Sequence, residues 1–159
     1  MIFYIIRHAH ASDASHDASR PLSERGRGEV ARVAKFLKAA GGLPAVEFWH
    51  SPLLRAAQTA ELLAHGLGSK APLLLVPGLE PDDDPSEIAA RLSTAPRPVA
   101  VVGHDPNLTA LGTLLVRKVP WPPVFVMSKC TVLALERDGH GRDVAWAARW
   151  QLAPELFEA

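Results

Sequence analysis

Short apolar runs alternate with helix-like patterns along this chain. Residues 2–6 and 99–102 are apolar runs that end at polar residues, which is typical of β-strands buried on both faces. Three other segments repeat apolar or small residues at i, i+3, i+4 and i+7, the spacing of one buried helix face. These are Val30, Val33, Ala34 and Leu37; Leu53, Ala56, Ala57 and Ala60; and Leu108, Leu111, Gly112 and Leu115. The pattern predicts alternating strands and helices.

A β-hairpin is predicted near the C-terminus. Residues 131–136 and 144–150 flank DGHGR, residues 138–142, whose glycines and aspartate are typical of a turn. Strands that alternate with helices form right-handed crossovers and a sheet covered on both faces. We therefore predict an α/β fold, a three-layer α/β/α sandwich with a mostly parallel central sheet and a C-terminal antiparallel hairpin. Residues 1–159 are predicted to form one domain.

Composition and charge narrow the class of protein. The 17 basic and 17 acidic residues cancel, so the chain has no overall field of the kind that attracts nucleic acid. The single cysteine, Cys130, allows no internal disulfide and is expected in the core, and a reducing compartment suits it. The apolar run at residues 2–6 is much shorter than a membrane span or a signal-peptide core. We expect a cytoplasmic protein that binds neither nucleic acid nor membrane.

Ligands of α/β sheets bind beyond the carboxyl ends of the strands, so the residues after each predicted strand are the candidates for chemistry. The first such segment contains Arg7, His8 and His10. Alternate residues of a strand share a face, so the two histidines could form a metal-binding pair. Because no other His, Asp or Cys with ligand spacing accompanies them, we expect no metal.

The second segment is SPLLRAAQTA, residues 51–60. Ser51 is a favourable N-cap and Pro52 suits the first helical position, so a helix is predicted to begin here with Arg55 about one turn in. The N–H groups of a helix N-terminus and a neighbouring guanidinium would bind an anion. The alternative is an arginine solvated on an exposed helix face.

The third segment, GHDPNL at residues 103–108, has the same design. Gly103 permits a close backbone approach, and Asp105 is predicted to cap a helix whose first position is Pro106. His104 lies at the end of the strand. One such histidine is more often structural than catalytic, but three strand ends with cationic side chains together indicate an anion site.

These segments resemble the histidine phosphatase superfamily, which has a phosphoglycerate mutase-like fold, and within it the short phosphohistidine phosphatases of the SixA type. The resemblance rests on RHA at residues 7–9, SRPLSERG at 19–26, SPLLRAAQTA at 51–60 and GHDPNL at 103–108. The order and spacing of the four blocks match, and the resemblance covers nearly the whole chain. The length leaves no room for the larger insertions of the sugar-phosphate mutases.

The resemblance implies roles for four residues. His8 and His104 are the expected catalytic residues, with His8 as the nucleophile that takes the phosphoryl group, and Arg7 and Arg55 are the expected phosphate-binding residues. The chemistry agrees, because a transferring phosphoryl group spreads negative charge over oxygens that arginines bind well. His8 must be neutral to attack, and neighbouring cations lower the pKa of an imidazole. The two arginines supply the positive charge, so no metal and no cofactor are implied.

The resemblance leaves the proton donor open. Superfamily members that act on phosphate esters use a carboxylic acid near the segment that here reads PGLEPDDDPSE, residues 77–87. Glu80, Asp82 and Asp83 are candidates, whereas Asp84 with Glu87 forms a capping-box pattern. An ester requires a proton for its alkoxide leaving group, and a phosphoramidate, which leaves as imidazole, demands less.

Four other residues carry specific expectations. Arg20 matches a position near the pocket of SixA-type relatives, and both a substrate contact and plain surface charge remain open. Ser23 is expected to cap the following helix, and Gly26 to let its first turn pack closely. Ala9 stands where the superfamily often has glycine, so its Cβ would strain a loop that needs positive φ.

Three functions follow from these observations. The main hypothesis is a phosphatase that removes phosphate from histidine on a partner protein, such as a phosphotransfer domain or carrier, through a phosphohistidine enzyme intermediate. The alternatives are a phosphatase of small phosphate monoesters and a non-catalytic phosphoanion-binding module. The chain is expected to be a monomer or weak dimer. The segment VPWPPVF, residues 119–125, is interpreted as a buried connection, with an exposed partner surface at Trp121 as the alternative.

Overall fold

The computed structural model describes residues 1–141 and 143–157. Its elements are β1 (Ile2–Arg7), α1 (Glu24–Ala39), β2 (Glu47–His50), α2 (Leu54–Leu67), β3 (Leu73–Leu75), α3 (Ser86–Thr94), β4 (Val99–Gly103), α4 (Asn107–Arg117), β5 (Val132–Asp138) and β6 (Ala145–Leu152). Two 3-10 turns occupy Asp17–Ser19 and Pro154–Leu156. The predicted alternation of strands and helices is confirmed.

The sheet has six strands in the order β3-β2-β4-β1-β5-β6. Strands β3, β2, β4 and β1 are parallel, while β5 runs antiparallel to β1 and β6 antiparallel to β5. The predicted mostly parallel sheet with a C-terminal antiparallel hairpin is therefore confirmed. Of the predicted turn DGHGR, Gly139 and Gly141 adopt positive φ, and Arg142 lies outside the described residues.

Helices cover both faces of the sheet. Successive strand residues point to opposite faces, so Tyr4 and Ile6 pack in the cluster that contains the buried residues of α1 and α2. Phe3 and Ile5 pack on the other face with buried residues of α3 and α4. The three-layer α/β/α arrangement follows from this division.

Two expectations about single side chains have opposite outcomes. Cys130 is 1% exposed, as predicted for a core residue. The interpretation of residues 119–125 as buried is wrong, because Trp121 is 75% exposed and neighbouring Val126 is 86% exposed.

Among the described residues, no helix is both long and apolar enough to cross a lipid bilayer.

Candidate active site

Three adjacent strands end at the same edge of the sheet and bring the candidate residues together. Arg7 is the last residue of β1 and pairs with Gly103 of β4, and the His8 amide donates to the Gly103 carbonyl at 2.9 Å. The Ser51 amide, which follows β2, donates to the Val102 carbonyl at 3.2 Å. The ends of the three predicted segments therefore lie side by side, as predicted.

His8 is 6% exposed, and its hydrogen bonding fixes which ring nitrogen is free. Its Nδ1 lies 2.7 Å from the Ala9 carbonyl oxygen, which can only accept, so Nδ1 carries the proton. Nε2 therefore keeps its lone pair. Burial lowers the pKa of His8 to about 4, and the charges of Arg55, Arg7 and Lys129 act in the same direction against the bond to Ala9. At neutral pH the ring is therefore uncharged.

The loop that precedes β5 holds Arg7 in place. Its Nη1 donates to the Met127 carbonyl at 2.8 Å and lies 3.9 Å from Oδ2 of Asp105. Its Nε is buried and has no hydrogen-bond partner among the described residues. The guanidinium is thus anchored at one end and keeps unused donor capacity for an anion.

Arg55 is buried rather than solvated. It is 5% exposed; Nη1 donates to the backbone carbonyl of Asp17 at 3.0 Å, and Nη2 donates to the carboxylate of the same residue at 3.3 Å. Although desolvation raises the pKa of Asp17, the Arg55 charge and hydrogen bonds from Arg20 and Arg55 outweigh it and hold that pKa below its ordinary value. The aspartate is therefore ionised and fixes the arginine.

The predicted role of Ser51 is wrong. Helix α2 begins at Leu54 with Leu53 as N-cap, so Arg55 is its second residue, not a residue one turn in. Ser51 lies before the helix, and its hydroxyl lies 2.6 Å from Nε2 of His104. The predicted start of α4 is wrong by one residue, because the helix begins at Asn107 with Pro106 as N-cap. Asp105, one residue earlier, accepts from the Thr109 amide in the first turn at 3.0 Å.

His104 completes the cluster. It is 2% exposed, and its ring centroid lies 5.0 Å from that of His8. Burial lowers the pKa of His104 to about 3, with the charges of His8, Arg55 and Arg7 acting in the same direction and Asp17 opposing them. The site therefore holds two neutral imidazoles beside two guanidiniums.

Motif residues outside this cluster hold its backbone. The Thr59 hydroxyl accepts from the Ala9 amide at 3.1 Å and donates to the Arg55 carbonyl at 2.7 Å, which connects β1 to α2. Ala9 causes no backbone strain, since the non-glycine residues with positive φ in the described chain are Lys118 and Cys130. The strain expected at Ala9 is thus wrong.

The start of α1 packs on the same loop. Ser23 caps α1 by accepting from the Gly26 amide at 3.0 Å, as predicted. A Cβ on Gly26 would lie 2.0 Å from the His10 carbonyl oxygen, so the expected close packing is confirmed. The ring of His10 bonds to the Ser23 hydroxyl at 2.6 Å, and its amide donates to buried Glu29 at 2.8 Å.

The acidic segment between β3 and α3 packs against the start of α4, where the Asn107 amide donates to the Pro81 carbonyl at 3.1 Å. Glu80 lines an open cleft with Pro52, Asp83 and Asp84, and its amide donates to Asp83 at 2.9 Å. Asp84 accepts from the Ser86 amide at 2.8 Å, so it shapes the entry to α3. Among the described residues, no hydrogen bond or ion pair joins these carboxylates or that of Asp82 to His8 or His104.

The sequence leaves Arg20 open as either a substrate contact or plain surface charge, and its contacts place it near the site. Its Nε donates to the Ser12 carbonyl at 3.1 Å, and its Nη1 lies 3.4 Å from the Asp17 carboxylate that also binds Arg55. Arg20 thus reaches the site through a shared carboxylate.

Within residues 1–141 and 143–157, no group of three or more His, Cys, Asp or Glu side chains is arranged to hold a metal ion.

The sequence of this chain is similar to those of known phosphatases. The model of the histidine phosphatase superfamily (branch 1) matches residues 3–80. The phosphohistidine phosphatase SixA of Escherichia coli strain K12 is 31% identical over 162 residues, which covers 97% of this chain and 94% of that protein.

Solved structures give the same result. The protein histidine phosphatase SixA complexed with tungstate superposes with a TM-score of 0.88 at 27% identity, covering 99% of this chain and 100% of that one. A mycobacterial glucosyl-3-phosphoglycerate phosphatase superposes with a TM-score of 0.70 at 18% identity over 93% of this chain and 96% of that one. At that identity, the second likeness concerns the fold alone.

Proposed function

The chain belongs to the histidine phosphatase superfamily, and from this premise we propose that it is a phosphohistidine phosphatase that removes phosphate from a histidine of a partner protein. The 31% identical relative is named as a phosphohistidine phosphatase, which supports this substrate class. A solved structure of the protein histidine phosphatase SixA contains tungstate, a tetrahedral oxyanion like phosphate.

The observation that carries the proposal is the cluster around the free Nε2 of His8. The Nδ1 proton of His8 is bound to the Ala9 carbonyl. The charges of Arg7 and Arg55 act on both imidazoles, and the buried Nε of each arginine has no hydrogen-bond partner among the described residues. A phosphoryl group next to Nε2 would receive charge-assisted hydrogen bonds from Arg7 and Arg55. This arrangement supports nucleophilic attack with no positive ion other than the two guanidiniums, so we propose that metal is not required.

The reaction proceeds in two displacements. Nε2 of His8 attacks phosphorus, the N–P bond to the substrate imidazole breaks, and that imidazole takes up a proton from solvent. Water then attacks the phosphorus of phospho-His8, its proton is lost to solvent, and inorganic phosphate leaves with His8 restored. Each step transfers one phosphoryl group, and its charge is stabilised by arginines that are already in position.

The carboxylates near the cluster favour a phosphoramidate over an ester. Asp17 is paired with Arg55 and Asp105 lies near Arg7, so each faces a guanidinium instead of an approaching leaving group. Glu80 lies in the cleft beside α3. An alkoxide leaving group requires a positioned acid, whereas an imidazole can depart after protonation by solvent.

A protein substrate also fits the surface beside Arg7. Val126 is 86% exposed and directly precedes Met127, whose carbonyl binds Arg7. A protein that inserts its phosphohistidine into the cluster would cover this apolar surface, and a small ester would not reach it. We propose further that residues 1–159 act as one domain, as a monomer or weak dimer in the cytoplasm, without a cofactor.

The test is phosphate release from a phosphohistidine-bearing phosphotransfer protein and, in parallel, from p-nitrophenyl phosphate, both under metal chelation. We expect faster turnover of the phosphohistidine protein, and His8→Ala should reduce it by about a thousandfold or more. Glu80→Gln should change it by less than about twofold. Val126→Glu should slow release from the protein and leave the ester rate unchanged.

Other outcomes identify the alternatives. If the ester is the better substrate and its turnover depends on Glu80, the protein is a phosphatase of small monoesters. If neither substrate turns over but the phosphohistidine protein binds stoichiometrically, it is a phosphoanion-binding module.

A further inference from the structure

A buried hydrogen bond joins the ends of β2 and β4 directly behind the cluster. Ser51 is 0% exposed and His104 is 2% exposed, and Oγ of the serine lies 2.6 Å from Nε2 of the histidine. The bond from the Ser51 amide to the Val102 carbonyl, at 3.2 Å, fixes the distance between the two strand ends. The pair therefore has little freedom to rearrange.

The direction of this hydrogen bond follows from the other partner of Ser51. The Leu53 amide donates to the Ser51 hydroxyl oxygen at 3.3 Å, so that oxygen already accepts one proton. In the described chain, the remaining partner of the hydroxyl is Nε2 of His104. The serine proton therefore points to Nε2, which must carry a lone pair.

Nδ1 of His104 has no partner among the described residues in either tautomer, but the opposite arrangement would leave the serine proton unsatisfied as well. If Nε2 carried the proton and donated to Ser51, the serine proton would have no acceptor among the contacts of the described residues. Nδ1 of His104, which is buried and unpartnered, would then present a lone pair to an incoming anion. Buried polar groups are rarely left in this state.

With Nε2 as acceptor, the proton of neutral His104 is on Nδ1. This N–H group has no partner among residues 1–141 and 143–157, and it belongs to a ring 5.0 Å from that of His8. A phosphoryl oxygen is a suitable acceptor for it. The donor is thus formed before the ligand arrives.

We propose that Ser51 is a positioning residue that holds His104 as the Nδ1–H tautomer, so that the neutral ring meets the phosphoryl group as a hydrogen-bond donor. The role in turnover rests on the proposed function, but the assignment of the tautomer does not. Ser51 acts through His104 and does not touch the phosphoryl group.

The tautomer is tested on the wild-type protein without substrate, by two-bond correlation of carbon-bound ring protons with the nitrogens of ¹⁵N-histidine at neutral pH. His104→Asn identifies the His104 signals. We expect a protonated Nδ1 and an unprotonated Nε2 for His104. A protonated Nε2 on neutral His104 would overturn the proposal, whether or not the protein is a phosphatase.

A double-mutant cycle tests the functional part. Asn places an N–H group near the position of Nδ1 but does not reach Ser51, so the contact with the serine is absent in His104→Asn. We expect Ser51→Ala to lower kcat by about tenfold or more in the wild type, since a misplaced proton on a catalytic imidazole is costly. In the His104→Asn background it should change kcat by less than about twofold.

Equal losses in both backgrounds would show that Ser51 does not act through His104. If Ser51→Ala does not fold, the wild-type spectrum still decides the tautomer. Tungstate affinity provides the same cycle as a binding measurement if neither phosphorylated substrate turns over, so failure of the proposed function is distinguishable from failure of this inference.

Discussion

Arg55 is bound twice by the same residue, because its Nη1 contacts the backbone carbonyl of Asp17 and its Nη2 contacts the carboxylate. The carboxylate side chain is 65% exposed, whereas the arginine side chain is 6% exposed. An exposed anion therefore faces a buried cation at the position where phosphate is expected. The backbone contact does not depend on the side chain, so the two contacts can be separated by mutation.

Asp17→Asn is expected to strengthen tungstate binding. The asparagine keeps the backbone anchor of Arg55 and removes a negative charge beside the anion site, which screening limits to about a two- to fivefold effect. Isothermal titration of the wild type and the variant measures it. Asp13→Asn, which removes an exposed carboxylate from the same loop, is the matched control. Binding weakened by about tenfold would show that the carboxylate chiefly holds Arg55 in position.

The pH profile of kcat/KM is expected to be flat through the ordinary titration range of histidine. Burial, reinforced by Arg55, Arg7 and Lys129, lowers the pKa of His8 to about 4. The neutral form of His8, the proposed nucleophile, is thus fully populated near pH 6 and is lost only as pH falls toward that value. The profile, corrected for ionisation of the substrate, should have no midpoint near pH 6.5. Such a midpoint in the wild type would contradict the assigned state of His8.

The free energy of unfolding should fall with acidification because His8 and His104 stay neutral when buried. The unfolded chain binds protons at its histidines near pH 6.5, while folded His8 stays neutral to about pH 4. Between these values the unfolded state holds more protons, so each buried histidine lowers the free energy of unfolding by up to about 1.4 kcal/mol per pH unit. The free energy of unfolding, measured by urea denaturation between pH 7 and pH 5, should fall less steeply with pH in His8→Asn than in the wild type. Identical slopes would mean that His8 titrates normally.

Gly26→Ala is expected to destabilise the protein by about 1–3 kcal/mol. The new Cβ would lie 2.0 Å from the His10 carbonyl oxygen, a backbone atom that cannot move without displacing the loop after His8. Gly28→Ala is the control in the same helix, since its Cβ meets only the end of the Arg32 side chain, at 3.3 Å. That variant should be neutral or stabilising by up to about 1 kcal/mol, because alanine favours the helix. Equal effects of the two changes in thermal unfolding would contradict the packing argument.

The sequence predicts those features of the site that follow from strand periodicity. His8 and His104 follow apolar strands, and the ends of parallel strands must meet, so their proximity follows from the pattern. Asp17 could not be found this way, because it lies in a 3-10 turn and meets Arg55 through a contact 38 residues along the chain. A Ser-Pro pair is a strong local helix-start signal, so the pattern alone cannot reveal that the Ser51 hydroxyl lies against His104 of another strand end.

Periodicity does not predict strand β3 or the extent of helix α3, although the capping-box pattern of Asp84 and Glu87 marks where that helix begins. Three strand residues, or nine helical ones, provide too few repeats to establish a period. Trp121 was assigned to a buried connection by its composition, but its surroundings leave it exposed.

The most direct test of the account is to trap the phosphorylated enzyme. The wild-type protein is mixed with excess phosphohistidine-bearing protein, quenched within milliseconds under alkaline conditions that preserve phosphohistidine, and digested for mass spectrometry. The account predicts a phosphoryl group on the peptide that contains His8, lost in His8→Ala together with phosphate release. Phosphate release that persists in His8→Ala, with no phosphorylated His8 in the wild type, would contradict it.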